Sequence, residues 1–313
     1  MAPLPQVLAG PIVRRVEQRL CSFWIALSYP ASVQATIWRG IQVAGQAPGT
    51  VASGDPEVAG AIATTLAAGR RLHVAVVTIK LDPAEPPLEP GQIYAYDIQV
   101  VTQSERKGLR QLRLLEDEFP ELDPELSIDR PLGLALGYVE NRLPSFVTAP
   151  ATIEQVRLAH CSCRKSFSPG RDALAWLDDV IAEHLTDPSA RPQQLFLTGD
   201  QIYADDLSAA LLVMLSDLAE DLMGAKERLQ VTASTPSGQA IDRQFDADLH
   251  NFPAARRHKV VIELGGYTTE EGESHLLSFG EYAAMYLAGW SPRVWRTLGT
   301  PDQVVHPPRP GLP

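Results

Sequence analysis

The residues best suited to chemistry lie in segment 195–206, where an apolar run ends abruptly in Gly199-Asp200 and Tyr203 follows three residues later. A buried strand with this ending would deliver one carboxylate and one phenol to its carboxyl-terminal tip, where α/β proteins bind their ligands. A carboxylate can bridge two cations, and a phenolate is a hard ligand for a strongly Lewis-acidic ion such as Fe(III). The segment is therefore a candidate metal site.

The same segment has a simpler interpretation as a strand–turn–helix junction. In that case Asp205 or Asp206 would cap the amino terminus of the helix that follows. This alternative accounts for the last two acids, but it leaves Gly199, Asp200 and Tyr203 unexplained.

A second strand tip carries another potential ligand. The pattern predicts strands at 156–163 and 194–198 and helices at 169–185 and 206–223. This order predicts a parallel sheet with right-handed crossovers, so Cys163 and Asp200 would lie at the same edge. A thiolate and a carboxylate at one edge could begin a metal site, although a single Cys at a strand end is more often a small buried hydrophobic residue.

The first third of the chain is typical of β structure. Candidate strands, bounded by Pro, Gly or Ser, lie at 10–17, 22–29, 32–38, 72–80 and 92–101. The Gly- and Ala-rich region 45–69 is ambiguous and could be a loop with a short helix. We expect an antiparallel β-sandwich of the fibronectin-like type.

The fold class predicted from these patterns is a two-domain α+β protein. Its parts are an N-terminal β-sandwich at 1–115, an acidic and proline-rich linker at 116–150, and an incomplete α/β domain at 151–313. The acidic run in the linker could instead be a metal-binding loop, but solvated linkers are more common.

The signal weakens beyond residue 224. The pattern predicts a loop at 234–252, a short strand at 259–264, and a helix at 281–287 with Trp290 and Trp295 close behind. Because no further strand–helix unit is predicted, we expect the α/β domain to be unfinished.

Composition excludes several classes of function. The chain has 313 residues, 45% hydrophobic content and a formal net charge of −11, which argues against nucleic acid or an anionic membrane surface as a partner. Three cysteines, at positions 21, 161 and 163, predict no disulfide framework. With no signal peptide or membrane-spanning run in the sequence, we expect a reduced, cytoplasmic protein whose oligomeric state stays open.

Three motifs together resemble a known family. They are His160-Cys161-Ser162-Cys163-Arg164, the helix start Gly170-Arg171-Asp172-Ala173-Leu174-Ala175-Trp176-Leu177-Asp178, and Gly199-Asp200-Gln201-Ile202-Tyr203. These motifs are similar to those of the PhoD-like phosphatases (the alkaline phosphatase D family), which are calcineurin-like metallophosphoesterases with an N-terminal β-sandwich. The segments at 8–17 and 279–287 also fit that arrangement.

The resemblance implies a role for each residue that matches a motif. Asp200 would be catalytic and bridge two metal ions, Tyr203 would bind Fe(III), and Cys163 would be a further iron ligand. The metals would be Fe(III) and Ca²⁺, with other divalent ions as alternatives, and the substrate a phosphate monoester or diester. Arg164 could reach a substrate oxygen.

The sequence also departs from the family pattern. The family completes its site with an Asp-Asp-His-Glu element and later histidines, and no Asp-Asp-His-Glu occurs here. His160 is expected to be packed or hydrogen-bonded on its strand, and His250, His258, His275 and His306 match none of the family's elements. We therefore expect a truncated phosphoesterase that lacks part of its ligand set. The alternative is a non-catalytic binding or structural protein, or an inactive fragment.

Overall fold

The computed structural model describes residues 3–116, 135–164, 173–234, 240–248 and 252–298. The fold is a mixture of α and β structure in which most of the sheet is antiparallel. The N-terminal half is built from strands, and helices dominate the second half.

Nine strands form two antiparallel sheets in the N-terminal half. They are β1 (Val7–Glu17), β2 (Leu20–Leu27), β3 (Ser32–Arg39), β4 (Ala59–Thr64), β5 (Leu66–Gly69), β6 (Leu72–Lys80), β7 (Ile93–Val101), β8 (Arg106–Lys107) and β9 (Ser145–Val147). The first sheet has the order β1-β2-β6-β5. The second has the order β4-β3-β7-β8, with β9 also paired to β7.

Side chains from both sheets share one hydrophobic core. Phe23 and Ile25 of β2 and Val77 of β6 meet Trp38 of β3 and Ile98 of β7, and all five are at most 2% exposed. Because burial of a side chain of this size contributes about 1.5–3 kcal/mol, this core is the main source of stability in the N-terminal half.

The strands predicted in this half agree with β1, β2, β3, β6 and β7 to within a few residues at each end. The helix considered within 45–69 is absent, because 59–64 and 66–69 form β4 and β5. In β4 half-buried and exposed residues alternate, but the small Ala and Gly side chains hide that alternation in the sequence. Part of the predicted linker also differs, since β9 extends the second sheet and buries Phe146. Residues 117–134 of that linker lie outside the described residues.

The second half begins with the predicted strand–helix–strand–helix unit. Its elements are β10 (Leu158–Cys161), α1 (Ala173–Glu183), β11 (Gln194–Leu197) and α2 (Ala209–Met223). The predicted parallel pairing of the two strands is confirmed, since Leu158 pairs with Gln194 and Cys161 with Leu197. The predicted start of α1 at 169–172 lies outside the described residues.

Helix α2 has clear signals at both ends. Ser208 accepts a hydrogen bond from the Leu211 amide at 3.2 Å, so the cap is this serine and not Asp205 or Asp206. At the other end Gly224 adopts φ 84°, the left-handed conformation that glycine supplies at helix ends.

Two predictions for the last third are wrong. The predicted loop at 234–252 contains the strand β13 (Ala240–Asp248), which pairs antiparallel with β12 (Arg228–Ser234) and whose polar composition hid its β character. The predicted strand at 259–264 is a π-helix (Lys259–Leu264), in which the Gly265 amide bonds to the Val260 carbonyl at 2.8 Å. Val260 and Val261 are buried side by side in this turn, so burial and not strand pairing explains its apolar residues.

The predicted final helix is confirmed as α3 (Phe279–Trp290), followed by the short α4 (Pro292–Trp295). Helix α3 begins with a capping box in which Ser278 bonds the Glu281 amide and Glu281 bonds back to the cap.

Helices α2, α3 and α4 pack on the outer face of the first sheet. Leu8, Ala26 and Leu72 from that sheet form one buried cluster with Leu215 of α2 and Ala284 of α3. The Arg71 guanidinium also binds the Asp221 carboxylate at 2.7 Å, and the Arg71 amide bonds to the Leu222 carbonyl at 2.8 Å. These contacts join the two halves of the chain. Within the described ranges, no helix has the length and apolar character needed to cross a membrane.

Candidate functional site

The candidate site lies where β10 and β11 end side by side. Because the strands are parallel, their carboxyl ends lie at the same edge. Two backbone hydrogen bonds continue the pairing beyond the strands, from the Thr198 amide to the Cys161 carbonyl at 3.1 Å and from the Arg164 amide to the Asp200 carbonyl at 2.8 Å. The two tips are therefore held together by backbone bonds and not only by side chains.

Gly199 permits this close approach of the tips. A Cβ atom at this position would lie 2.6 Å from both the amide nitrogen and the sulfur of Cys163. No side chain fits in that space without displacing the Cys163 tip. The glycine of the Gly-Asp-x-x-Tyr motif thus has a steric role, which is to bring the second tip against the first.

Cys163 and Tyr203 contact each other directly. The Tyr203 hydroxyl donates a hydrogen bond to the Cys163 sulfur, and this bond holds the pKa of the thiol below its usual range. The same bond raises the pKa of Tyr203 to about 12. Since the phenol keeps its own proton and stabilises the ionised form of the thiol, the two side chains form a hydrogen-bonded thiol–phenol pair at the edge of the sheet.

Asp200 lies next to this pair. Its negative charge opposes ionisation of both Cys163 and Tyr203 and is a smaller influence on each pKa than their mutual hydrogen bond. The Asp200 side chain is exposed to solvent. The structure therefore brings the three predicted site residues together, with a thiol, a carboxylate and a phenol at one accessible edge.

The Gln201 side chain connects the two strand tips. Its Nε2 donates to the Gly199 carbonyl at 2.8 Å and lies 3.4 Å from the Ser162 carbonyl. Its Oε1 is buried and has no hydrogen-bond partner among the residues that the structure describes. Sequence reasoning missed this residue, although its place inside the Gly-Asp-x-x-Tyr motif was a usable signal.

The segment after Tyr203 is anchored by the chain that precedes α3. The Leu276 amide donates to the Ala204 carbonyl at 2.7 Å, and the Thr269 hydroxyl donates to the Asp205 carboxylate at 2.8 Å. These bonds hold the backbone at Ala204 and the side chain of Asp205, directly after Tyr203, and so help to position it. They connect residues more than 60 positions apart, so sequence spacing could not reveal them.

Arg164 points toward the end of α3. Its Nη1 donates to the Gly289 carbonyl at 2.7 Å, and its guanidinium carbon lies 5.0 Å from the centre of the Trp290 ring. A cation stacked on an aromatic face while bonded to a helix carboxyl-terminal carbonyl is well stabilised where it is. Its predicted contact with a substrate oxygen would require the guanidinium to leave this position.

The histidines that the structure describes do not add to the site. His160 is hydrogen-bonded on its strand, as predicted, with its Nε2 lying 2.7 Å from the Thr198 hydroxyl. His275 is buried, and its Nδ1 donates to the Leu276 carbonyl at 2.6 Å. Across the described part of the chain, no group of three or more His, Cys, Asp or Glu side chains could hold a metal ion. His250 and His306 lie outside the described residues.

Comparison of the chain with known proteins does not identify a family. No family model matches the sequence, and no curated protein matches it. The similarity to PhoD-like phosphatases therefore depends on the motif residues alone.

Proposed function

We propose that the edge formed by Cys163, Asp200 and Tyr203 binds a metal ion and that the chain is a metal-dependent phosphoesterase of the PhoD-like kind. The observation that carries the proposal is the meeting of three different donor groups, which come from two strand tips about 40 positions apart in sequence. Neither a plain strand–turn–helix junction nor a helix cap requires such a meeting.

The donor set fits one metal ion. A carboxylate and a phenolate are hard ligands, and a thiolate beside them accepts a borderline metal, a combination that favours iron. When bound, such an ion supplies Lewis-acid activation of a phosphate ester and of an attacking water. Because a metal ion binds the deprotonated forms of Cys and Tyr side chains, binding through Cys163 and Tyr203 would release protons.

The described residues do not fit a second ion such as Ca²⁺. Calcium takes six or more oxygen ligands, and Asp200 is the one carboxylate whose charge acts on both Cys163 and Tyr203 among the described residues. The proposal for this chain is therefore one metal ion at the three donors, and no catalytic step is assigned to a second.

A second candidate function is non-catalytic binding. Its support is the apolar surface of the two-stranded sheet, where Leu158, Leu195 and Phe196 are 55%, 41% and 47% exposed. Parallel strands are normally covered on both faces, so this sheet is a poor scaffold for precise catalysis. Under this alternative the site binds a metal but turns over phosphate esters weakly or not at all.

The finer fold assignment is also a proposal. The strand orders β1-β2-β6-β5 and β4-β3-β7-β8 support a fibronectin-like sandwich. With β4 taken as an additional edge strand of the second sheet, the first sheet has the A-B-E-D order of related sandwiches. This assignment would give the candidate catalytic unit the N-terminal domain that the family resemblance implies.

Hydrolysis of an aryl phosphate by the purified, iron-loaded chain tests the function. The phosphoesterase proposal expects metal-dependent hydrolysis that Asp200→Asn abolishes. The control variant Asp82→Asn removes an exposed carboxylate in the connection after β6 and should leave the rate unchanged. Iron retention without hydrolysis would support the non-catalytic alternative, and hydrolysis that survives Asp200→Asn would contradict the phosphoesterase assignment.

A further inference from the structure

A cavity of about 190 Å³ lies against α2, and none of the strand-tip residues Cys163, Asp200 and Tyr203 lines it. It is bounded by the carboxyl-terminal half of α2, the turn that follows it, the start of α3 and the segment before the π-helix. Its apolar walls include Val213, Ala219, Phe252 and Pro253. A partly apolar, concave cavity with a few polar groups is the usual form of a small-molecule site.

The floor of the cavity cannot hold an anion. Arg257 and Glu281 lie there as a buried ion pair with side chains that are 3% and 1% exposed. The Arg257 guanidinium donates to both Glu281 oxygens at 2.8 Å and to the carbonyls of Phe252 and His275 at 2.9 and 2.7 Å. Because this guanidinium already has its charge and geometry satisfied, it offers nothing to a phosphate or carboxylate ligand.

The rim carries excess negative charge. Besides the Arg257–Glu281 pair, the lining contains three acidic residues, Asp217, Glu220 and Glu227, and one basic residue, Lys226. The Lys226 Nζ lies 3.6 Å from the Glu220 carboxylate. Glu227 has one oxygen bonded to the Gly280 amide at 2.7 Å. The Asp217 carboxylate makes no hydrogen bond or ion pair within the described part of the chain, and the residue is half-buried beside the apolar wall.

We propose that this cavity binds a small organic cation, an ammonium group attached to an apolar body. The apolar body would fill the space against Ala219 and Phe252, and the ammonium would face the Asp217 carboxylate. The net charge of the lining favours a cation, while the saturated Arg257–Glu281 pair rejects an anion. This site is separate from the strand-tip site and does not depend on the metal.

Three matched probes test the proposal by calorimetric or NMR titration of the full chain: phenethylamine, phenethyl alcohol and phenylacetate. These probes share one apolar body and differ in charge. We expect the amine to bind about fivefold or more tightly than the alcohol, the size of one partly exposed ion pair, and phenylacetate not to bind. Equal binding of amine and alcohol, or no binding of the amine, would overturn the proposal.

Two variants locate the binding. Asp217→Asn should reduce amine affinity to that of the alcohol, and Ala225→Phe, which enlarges an exposed lining residue, should block all three probes. Asp82→Asn serves as the charge control and should change nothing, with unaltered circular dichroism in every variant. Amine binding that survives both cavity variants would place it elsewhere and contradict the assignment.

Discussion

Substitution of Gly199 by alanine should damage the candidate site more than any other change of one methyl group. The added Cβ would lie 2.6 Å from the amide nitrogen and sulfur of Cys163 and 2.9 Å from the Ser162 carbonyl carbon. The closest of these distances are about 0.8 Å shorter than the 3.4 Å at which ordinary van der Waals contact begins. The atoms in the way include backbone, so a change of rotamer cannot relieve the clash.

The chain can respond only by separating the two strand tips. A shift of this size would stretch the bond from the Arg164 amide to the Asp200 carbonyl, now 2.8 Å, beyond hydrogen-bond length. Overpacking of this kind costs about 1–3 kcal/mol. The same shift would pull Cys163 away from Tyr203 and so remove the bond that stabilises the thiolate.

Two assays measure these effects. Denaturant unfolding gives the loss of stability, and the pH dependence of Cys163 alkylation in a Cys161→Ser background reports the thiol pKa, which should rise. The matched control is Gly289→Ala in α3, where an added Cβ meets nothing within 4 Å and alanine should stabilise the helix by up to about 1 kcal/mol. A Gly199→Ala protein with wild-type stability and wild-type thiol reactivity would refute the steric account of the motif.

Three further changes have expected outcomes that follow from named contacts. Glu281→Ala leaves the buried Arg257 guanidinium without its counter-ion, so the free energy of unfolding measured with denaturant should fall by about 3–5 kcal/mol. Glu281→Gln should lower it by less. A loss below about 1 kcal/mol for Glu281→Ala would contradict this expectation. Burial raises the pKa of Asp97 to about 6 despite bonds from the Leu109 and Gly49 amides. The folded state therefore holds this proton more tightly than the unfolded state, so stability should fall by up to about 3 kcal/mol as pH rises from about 4 through about 6. Asp97→Asn should remove this fall in stability with rising pH. A variant whose unfolding free energy keeps the wild-type pH dependence would contradict the assignment to Asp97. Tyr203→Phe removes the hydrogen-bond donor to Cys163, so the pKa of the Cys163 thiol should rise and its alkylation at neutral pH should slow. Equal alkylation rates in the variant and the wild type would show that Tyr203 does not stabilise the thiolate.

The long strands of the N-terminal half could be predicted because their sequences carry their own signal. Strands β6 and β7 are rich in β-branched and aromatic residues, and turn residues mark their ends. Strand β4 was missed because Ala and Gly give little contrast between its two faces. Strand β13 was missed because its polar composition resembles that of a loop. Its extended structure depends on backbone pairing with β12. Composition does not encode such pairing.

The candidate site could be predicted in part for a related reason. Parallel topology follows from the order of elements, and it brings Cys163 and Asp200 to one edge. The hydrogen bond between Cys163 and Tyr203 depends on the course of the turn after β11, which is fixed by the distant Thr269 and Leu276. The stacking of Arg164 on Trp290 likewise joins residues with no relation in sequence. Long-range contacts of this kind are visible only in the folded chain.

Iron loading of the purified protein, read by metal analysis and visible absorption, tests the central claim most directly. The strand-tip site should retain iron with an absorption band from phenolate-to-iron charge transfer, since Tyr203 would be a ligand. Tyr203→Phe should abolish the band and Asp200→Asn should weaken retention, while the control Tyr267→Phe, at an exposed tyrosine, should change neither. A wild-type chain that retains no iron, or an absorption spectrum of the iron-loaded protein that is unchanged by Tyr203→Phe, would contradict the claim that these three residues form a metal site.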